Sequence, residues 1–146
     1  MQELSFQKAE IFDLDFIKNV LKSNELPYED LETSKVELFL TYENSDFVGV
    51  IGLEIFANTG LLRSMAVNEK FRNKGYGKKI CQKLLNYSKD IGISELYLLT
   101  CTAKVFFEKM GFEVISRENV PESIKSTNEF SGLCPCSAIC LRRILK

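Results

Sequence analysis

The fold of this chain is decided by the stretch Arg72-Asn73-Lys74-Gly75-Tyr76-Gly77-Lys78, which separates an apolar run, 61–67, from an amphipathic run that extends to Ile91. A glycine-rich turn that opens a helix leaves backbone N–H groups unpaired at the positive end of the helix dipole, where phosphate oxygens bind readily. Gly75 and Gly77 permit close approach of a ligand because they lack a Cβ atom. The stretch therefore predicts a phosphate-binding turn. The alternative is a plain strand-to-helix turn with a basic rim.

The runs on either side of this turn indicate an α+β fold. Apolar and alternating segments predict strands at 5–10, 36–42, 47–56, 61–67, 95–100, 112–116 and 138–145. Helical periodicity and end signals predict helices after Asp13, from the glycine turn to Ile91, at 103–110 and at 121–130. Short turns link the second, third and fourth strands, so we expect them to form an antiparallel meander.

Composition and charge restrict the class of protein. At 146 residues, with 45% hydrophobic and 27% charged residues, the chain is expected to form one soluble globular domain. A net charge of −1 gives no electrostatic reason to expect nucleic acid or a membrane as partner. No long apolar run and no signal-peptide pattern is present, so we expect a cytoplasmic protein.

The chain contains five cysteines and no histidine. An odd number of cysteines without an export signal favours reduced thiols over a disulfide framework. The absence of histidine excludes histidine-based catalytic triads and nearly all common zinc sites, so we predict no metal. Protons must then be moved by a carboxylate, tyrosine, cysteine, lysine, serine through water, or water alone.

Three motifs in order resemble the GCN5-related N-acetyltransferase (GNAT) superfamily. They are Leu62-Arg63-Ser64-Met65-Ala66-Val67, similar to the family's fourth strand, Arg72-x-x-Gly75-x-Gly77, similar to its pyrophosphate loop, and the segment 103–112. The resemblance implies a single N-acetyltransferase domain over residues 1–146. Its fold would be a central mixed, mostly antiparallel twisted sheet with helices on both faces. It also implies an acyltransferase in which an amine attacks acetyl-CoA directly.

The resemblance places the co-substrate acetyl-CoA on the glycine turn and the fourth strand. Backbone N–H groups of the turn would hold the pyrophosphate, and the strand would run beside the pantetheine arm. An N–H group near Val67 would polarise the thioester carbonyl, so Val67 is a catalytic candidate. The expected cofactor-binding residues are Met65, Ala66, Val67, Arg72, Asn73, Lys74, Gly75, Tyr76, Gly77, Lys78 and Phe107.

Two positions depart from the family's pattern. Many members carry a tyrosine in the short helix that can protonate the leaving thiolate, but the matching residue here is Phe107, which cannot donate a proton. Many also carry an asparagine just beyond the fifth strand, where this chain has Thr100-Cys101-Thr102. Tyr76, Cys101 and solvent are the remaining candidate proton donors, and Tyr76 is predicted to be catalytic.

The acceptor side is predicted from polar residues in apolar surroundings. Glu54 ends an apolar strand, where its carboxylate could take a proton from an ammonium group, unless it is only a solvated strand end. Arg63 could bind a substrate carboxylate, or it could form a purely structural salt bridge with Glu54. The expected catalytic residues are thus Glu54, Val67 and Tyr76. The expected substrate-binding residues are Glu54, Arg63, Ser64, Thr100 and Cys134.

Further motifs resemble a subgroup, the small N-acetyltransferases associated with bacterial arsenic-resistance operons. They are 62–67, Leu98-Leu99-Thr100-x-Thr102-Ala103 and the Glu-Phe-x-x-Leu-Cys-Pro-x-Ser-Ala run at 129–138. The segment 99–106 also resembles the acetyltransferase domain of N-acetylglutamate synthase. Both resemblances imply a small amino-acid-like acceptor, such as a glutamate analogue carrying arsenic, surrounded by Arg63, Glu54 and the loop 129–137.

Two other functions are compatible with the sequence. The first is acetylation of a protein N-terminus or a lysine, which predicts an open peptide groove rather than a closed acceptor pocket. The second is an inactive acyl-CoA-binding sensor, for which Phe107 is the best argument. The family resemblance also makes a homodimer an expected assembly.

Overall fold

The computed structural model describes residues 4–134 and 137–145. Within these residues, seven strands form one sheet in the order β1-β2-β3-β4-β5-β7-β6. The strands are β1 (Ser5–Lys8), β2 (Val36–Glu43), β3 (Asp46–Phe56), β4 (Thr59–Val67), β5 (Glu95–Thr100), β6 (Glu113–Val114) and β7 (Ile139–Ile144). The helices are α1 (Leu14–Ser23), α2 (Tyr76–Asp90), α3 (Lys104–Lys109) and α4 (Glu122–Lys125). Apart from α4, the predicted elements begin and end within two residues of these bounds.

The sheet is mixed and mostly antiparallel, as the sequence predicts. The consecutive strands β1 to β4 pair antiparallel, and β7 pairs antiparallel with both β5 and β6. β4 and β5 run parallel, because α2 returns the chain to the same end of the sheet. Every helix in the described residues is too short or too polar to span a bilayer.

Helices cover both faces of the sheet because side chains along its strands alternate in direction. On β3, Val50 packs in a cluster with Ile17 and Leu21 of α1. The next residue, Ile51, packs in a second cluster with Ile80 and the rest of α2. All five side chains are fully buried, which confirms the layered arrangement predicted for this fold.

The helix predicted over 121–130 is wrong beyond Lys125. The Thr127 hydroxyl donates to the Ile124 carbonyl at 2.7 Å and so competes for the acceptor that a continuing helix would offer to residue 128. The chain instead forms a wider π-helical turn, Glu129–Leu133, in which Glu129 is buried. This turn brings a carboxylate into the interior of the protein.

The strands β4 and β5 pair only where they begin, through Thr59–Leu61 and residues 95–97. Beyond this point β4 carries a bulge, because two of its residues, Ser64 and Met65, lie opposite the single residue Ile51 of β3. Ser64 adopts a positive φ of 60°, which a non-glycine residue adopts rarely. A bulge bends its strand and increases the local twist, so β4 separates from β5 and a cavity opens between them.

Candidate active site

A cavity of about 820 Å³ lies between the separated halves of β4 and β5. Its floor is formed by residues 62–65 and Val67 of β4 together with residues 98–100 of β5. The glycine turn and the start of α2 form one wall, and α3 forms another. Leu26, Pro27, Glu129 and Cys134 also line the cavity. One continuous space thus joins the predicted pyrophosphate loop to the predicted acceptor residues.

The glycine turn has the geometry expected of an anion-binding helix start. Asn73 and Gly75 adopt positive φ values of 62° and 86°, and both line the cavity just before α2 begins. The first helical hydrogen bond runs from Lys79 N–H to the Gly75 carbonyl at 3.4 Å. The N–H groups of residues 76–78 therefore have no acceptor inside the helix and are available to a ligand.

Position 77 faces the cavity directly. A Cβ atom built on Gly77 would lie 3.6 Å from side-chain atoms of Met65, Val67 and Phe106, all of which line the cavity. These are ordinary van der Waals distances, so a methyl group fits here, whereas any longer side chain would project into the space. The absence of a side chain at Gly77 keeps that space open for the phosphate end of a ligand.

The side chain of Arg72 lines the cavity but is also tied to the protein. Its Nε donates to the Val67 carbonyl at 2.9 Å, and its Nη2 donates to Asn24 Oδ1 at 2.7 Å. Arg72 therefore fastens the glycine turn to the end of β4 and to the end of α1. Nearby positive charge for an anion comes from this held guanidinium and from Lys78, which also lines the cavity.

Most predicted cofactor residues lie along this cavity. Among the described residues, its walls include Met65, Val67, Arg72, Asn73, Gly75, Gly77, Lys78 and Phe107. Ala66, Lys74 and Tyr76 are not part of them. Ala66 packs in the cluster on the α1 face of the sheet, and Lys74 Nζ donates to the Lys70 carbonyl at 3.3 Å.

The hydroxyl of Tyr76, which the sequence predicts to be catalytic, is bound to another side chain. Its hydroxyl donates to Glu43 Oε2 at 2.7 Å, and its ring packs edge-on against Phe71. The hydrogen bond to Glu43 raises the pKa of Tyr76. Tyr76 is not among the described residues that line the cavity, so its catalytic role stays a prediction that the position of its hydroxyl does not favour.

We expect Tyr76→Phe to leave kcat within about twofold of the wild-type value, since a group outside the reaction does not alter its barrier. Tyr87→Phe is the matched control. Tyr87 lies on the same helix as Tyr76, and its hydroxyl donates a similar 2.7 Å hydrogen bond to Glu37 of β2. Steady-state kinetics with acetyl-CoA makes the comparison. A loss of about 100-fold confined to Tyr76→Phe, typical of a missing general acid, would restore Tyr76 to the mechanism.

Arg63 is the centre of a buried charge cluster, and its side chain has no exposed area. Its Nη1 and Nη2 atoms hold Asp30 in a two-pronged ion pair at 2.6 and 2.7 Å. Nη1 also bonds Glu54 Oε2 at 3.0 Å, and Nε lies 3.1 Å from Glu129 Oε2. Nε donates to the Ser64 hydroxyl at 3.0 Å as well, which ties the bulge of β4 to the cluster.

These contacts determine the charge states of the cluster. Burial alone would lower the pKa of Arg63, but the neighbouring carboxylates, above all Asp30, raise it, so the guanidinium stays charged. Burial alone would raise the pKa of Asp30, but Arg63 holds it below its usual value. Three carboxylates thus share one cation, and Arg63 is already paired before any substrate arrives. Of its two predicted roles, the salt bridge with Glu54 is present.

Of the other predicted acceptor residues, some line the cavity and one does not. Ser64, Thr100 and Cys134 line the cavity beside Arg63, whereas Glu54 lies behind it and is not among the described lining residues. Thr100 Oγ1 accepts a hydrogen bond from Ala103 N–H at 3.0 Å, just before α3. Burial raises the pKa of Cys134 to about 12, so this group is a neutral thiol.

Glu129 is the one cluster carboxylate that lines the cavity. Sequence reasoning placed the loop 129–137 around the acceptor without distinguishing this residue. The signal that could have found it is the position of this lone carboxylate at the start of the segment 129–138, which is otherwise rich in apolar and small residues. Among the described residues, no group of three or more potential ligands is arranged to hold a metal ion.

Comparison with known proteins identifies the family. Residues 34–114 match the model of the acetyltransferase (GNAT) domain, and this segment is more than half of the chain. The chain therefore belongs to the GNAT acetyltransferase family, whose co-substrate is acetyl-CoA.

Relatives by sequence include amino-acid acetyltransferases. That of Neisseria meningitidis is 26% identical over 106 residues, which cover 71% of this chain and 24% of the relative. An uncharacterized N-acetyltransferase of Chlorobaculum tepidum is 38% identical over 63 residues, covering 43% of this chain and 40% of the relative. The chain thus spans less than half the length of these two relatives.

Solved structures share the whole fold. N-acetylglutamate synthase from Neisseria gonorrhoeae, complexed with coenzyme A and N-acetyl-glutamate, superposes with a TM-score of 0.81 at 21% identity, over 100% of this chain and 36% of that one. A GNAT-family acetyltransferase from Staphylococcus aureus Mu50 gives 0.77 at 23% identity, over 99% and 100%. At these identities the similarity establishes the fold, which confirms the predicted fold class. The resemblance to arsenic-resistance enzymes stays a prediction.

Proposed function

We propose that this chain is an acetyl-CoA-dependent N-acetyltransferase that acetylates the amine of a small amino-acid-like acceptor. The observation that carries the proposal is the single cavity that joins the glycine turn to the Arg63 cluster. Donor and acceptor bound in one cavity react within a ternary complex, where proximity alone removes a large part of the barrier. The relatedness to amino-acid acetyltransferases supports this class of acceptor.

The donor half of the cavity fits coenzyme A. N–H groups of the glycine turn would accept the pyrophosphate oxygens at the positive end of the α2 dipole. Beyond Leu61, the edge of β4 that faces β5 has no strand partner among the described residues, because the two strands pair only through residues 59–61 and 95–97. The amide groups of a pantetheine arm could bond to this edge as an added strand would. Met65 and Val67 lie along it.

The acceptor half of the cavity contains groups that suit an amino-acid-like molecule. Arg63 and Glu129 supply charged groups there, and Ser64, Thr100 and Cys134 supply polar ones. A peptide acceptor would instead need an open groove on both sides of the reacting amine. The relationship to amino-acid acetyltransferases supports a small acceptor, which includes a glutamate analogue that carries arsenic.

Acetyl transfer would require little covalent chemistry from the protein. The neutral amine attacks the thioester carbon, an N–C bond forms, and the C–S bond breaks to release a thiolate. An N–H group near Val67 would stabilise the oxyanion that forms on the carbonyl. Phe107 lines the cavity but cannot protonate the thiolate, which would take its proton from solvent.

The proposal is tested by the release of free thiol from acetyl-CoA with a panel of twenty amino acids, glutamate analogues and short peptides. We expect release with at least one amino acid or analogue and none above background with peptides. Turnover only with peptides would favour a protein acetyltransferase. Binding of CoA without turnover of any acceptor would favour a sensor, and no CoA binding by calorimetry would refute the assignment.

A further inference from the structure

We propose that Glu129 is the general base of this enzyme, the group that takes a proton from the ammonium form of the acceptor. The inference rests on the proposed function and deepens it, because it names the residue that prepares the amine for attack. Glu129 begins the π-helical turn and lines the cavity. The sequence alone favoured Glu54 for this role.

Position distinguishes Glu129 from the other two carboxylates of the cluster. Both oxygens of Asp30 are held by Arg63, and Asn128 Nδ2 donates to Asp30 Oδ2 at 3.1 Å. Glu54 Oε2 is held by Arg63 Nη1, and neither Asp30 nor Glu54 belongs to the described lining of the cavity. Glu129 meets the same guanidinium and also lines the cavity. It is therefore the carboxylate that an acceptor amine can reach.

The carboxylate of Glu129 is also held in place. Oε2 lies 3.1 Å from Arg63 Nε, and the residue is only 3% exposed. Its own carbonyl accepts a hydrogen bond from Cys134 N–H at 3.1 Å, which closes the turn around it. Since a carboxylate offers about four acceptor positions, these contacts leave capacity for a proton from the substrate. A base fixed at the reaction space needs no rearrangement before it acts.

The surroundings of Glu129 suit its carboxyl to proton transfer near neutral pH. Burial raises its pKa, Arg63 on β4 lowers it, and Glu54 on β3 and Asp30 before β2 raise it. Cys134, in its own segment, lowers it, and the resulting pKa is about 7. General bases work best when their pKa lies near the operating pH.

The proton balance of the reaction is then complete. The acceptor enters as an ammonium group with three protons and leaves as an amide with one. The first proton passes to Glu129 and frees the nitrogen lone pair for attack on the thioester carbon. The second passes from the nitrogen to solvent as the C–S bond breaks, and solvent gives a proton to the thiolate. Glu129 returns its own proton to solvent before the next turnover.

The test measures kcat/KM against pH for the wild type and Glu129→Gln, with L-glutamate as acceptor or else the best amino acid of the panel. The wild type should lose activity as pH falls through about 7, the pKa of Glu129. Glu129→Gln should be about 100-fold slower at pH 7, and this acidic limb should be absent from its profile. An acidic limb that persists unchanged in Glu129→Gln overturns the proposal.

Glu54→Gln is the matched control, because it removes another carboxylate from the same guanidinium outside the cavity. If Glu129 only balanced the charge of Arg63, as Glu54 does, Glu129→Gln and Glu54→Gln would have the same pH profile. We expect Glu54→Gln to keep the acidic limb and to move it to lower pH, since the Glu54 charge raises the pKa of Glu129. Loss of the limb in both variants would assign Glu129 a structural role and overturn the proposal.

A second measurement needs no acceptor. The pKa of Glu129 lies above its ordinary value of 4.5 in the folded protein, so the folded state holds this proton more tightly than the unfolded state does. The wild type should therefore lose stability relative to Glu129→Gln as pH rises from about 4.5 to about 7. Chemical denaturation of both proteins across this range measures the difference. A pH-independent difference overturns the Glu129 proposal, whereas a panel with no acceptor overturns the proposed function.

Discussion

Replacing Gly77 by glutamate is expected to abolish binding of coenzyme A in a chain that still folds. The new side chain would extend from a position whose Cβ lies 3.6 Å from Met65, Val67 and Phe106, and so would enter the cavity. There it adds bulk and a negative charge where the pyrophosphate is expected. Like-charge contacts at an interface cost several kcal/mol, so affinity should fall by more than about 100-fold in calorimetric titration.

Two control variants distinguish a specific loss of CoA binding in Gly77→Glu from disruption of the fold. Gly77→Ala adds a methyl group at distances that fit ordinary contacts, so it should bind CoA much as the wild type does. Gln82→Glu makes the same change in charge on an exposed position of α2 outside the cavity, and its affinity should also be retained. Unchanged affinity in Gly77→Glu would remove the glycine turn from the phosphate site.

Replacing Arg63 by methionine is expected to lower the free energy of unfolding by about 3–5 kcal/mol, because it leaves buried carboxylates without their cation. Asp30, Glu54 and Glu129 would remain close together with almost no exposure to solvent. The pKa values of Asp30 and Glu129 would then rise, since Arg63 lowers both and burial favours the protonated forms. The loss of stability should therefore be larger at pH 8 than at pH 5, which chemical denaturation at the two pH values measures.

Arg142→Met is the control for the loss of an arginine from an ion pair. Arg142 pairs with Glu113 at 3.0 Å, but both side chains are partly exposed. Exposed ion pairs contribute about 0–1 kcal/mol, so this variant should unfold much like the wild type. A loss of stability in Arg63→Met no larger than in Arg142→Met would show that the buried cluster does not hold the fold together.

The sequence predicts those parts of the fold that local patterns determine. β5 lies at the predicted residues 95–100, and α2 begins inside the predicted glycine turn. The strand is recognised from its apolar residues and the helix from its periodicity and the glycines before it. These signals all lie within a few neighbouring residues. The predicted extension of α4 to residue 130 is wrong for an equally local reason. The Thr127 hydroxyl donates to the Ile124 carbonyl, and sequence periodicity does not reveal this competing hydrogen bond.

The candidate site is less predictable because its contacts join distant segments. Arg63 forms ion pairs with Asp30, 33 residues earlier in the chain, and with Glu129 of the π-helical turn. No pattern around residue 63 indicates either partner, so the sequence could name only Glu54, on the neighbouring strand. The same limit applies to Tyr76, whose hydroxyl meets Glu43 on β2. Motifs therefore locate the donor half of the cavity, whereas the acceptor half depends on tertiary packing.

The central claim is that one cavity binds acetyl-CoA and an amino-acid-like amine and transfers the acetyl group between them. Mass spectrometry of a single reaction mixture, which quantifies free coenzyme A and N-acetylated acceptor together, tests it most directly. We predict that the two products form in equal amounts and that both depend on the enzyme and on the amine. Release of coenzyme A without an acetylated amine would contradict this account.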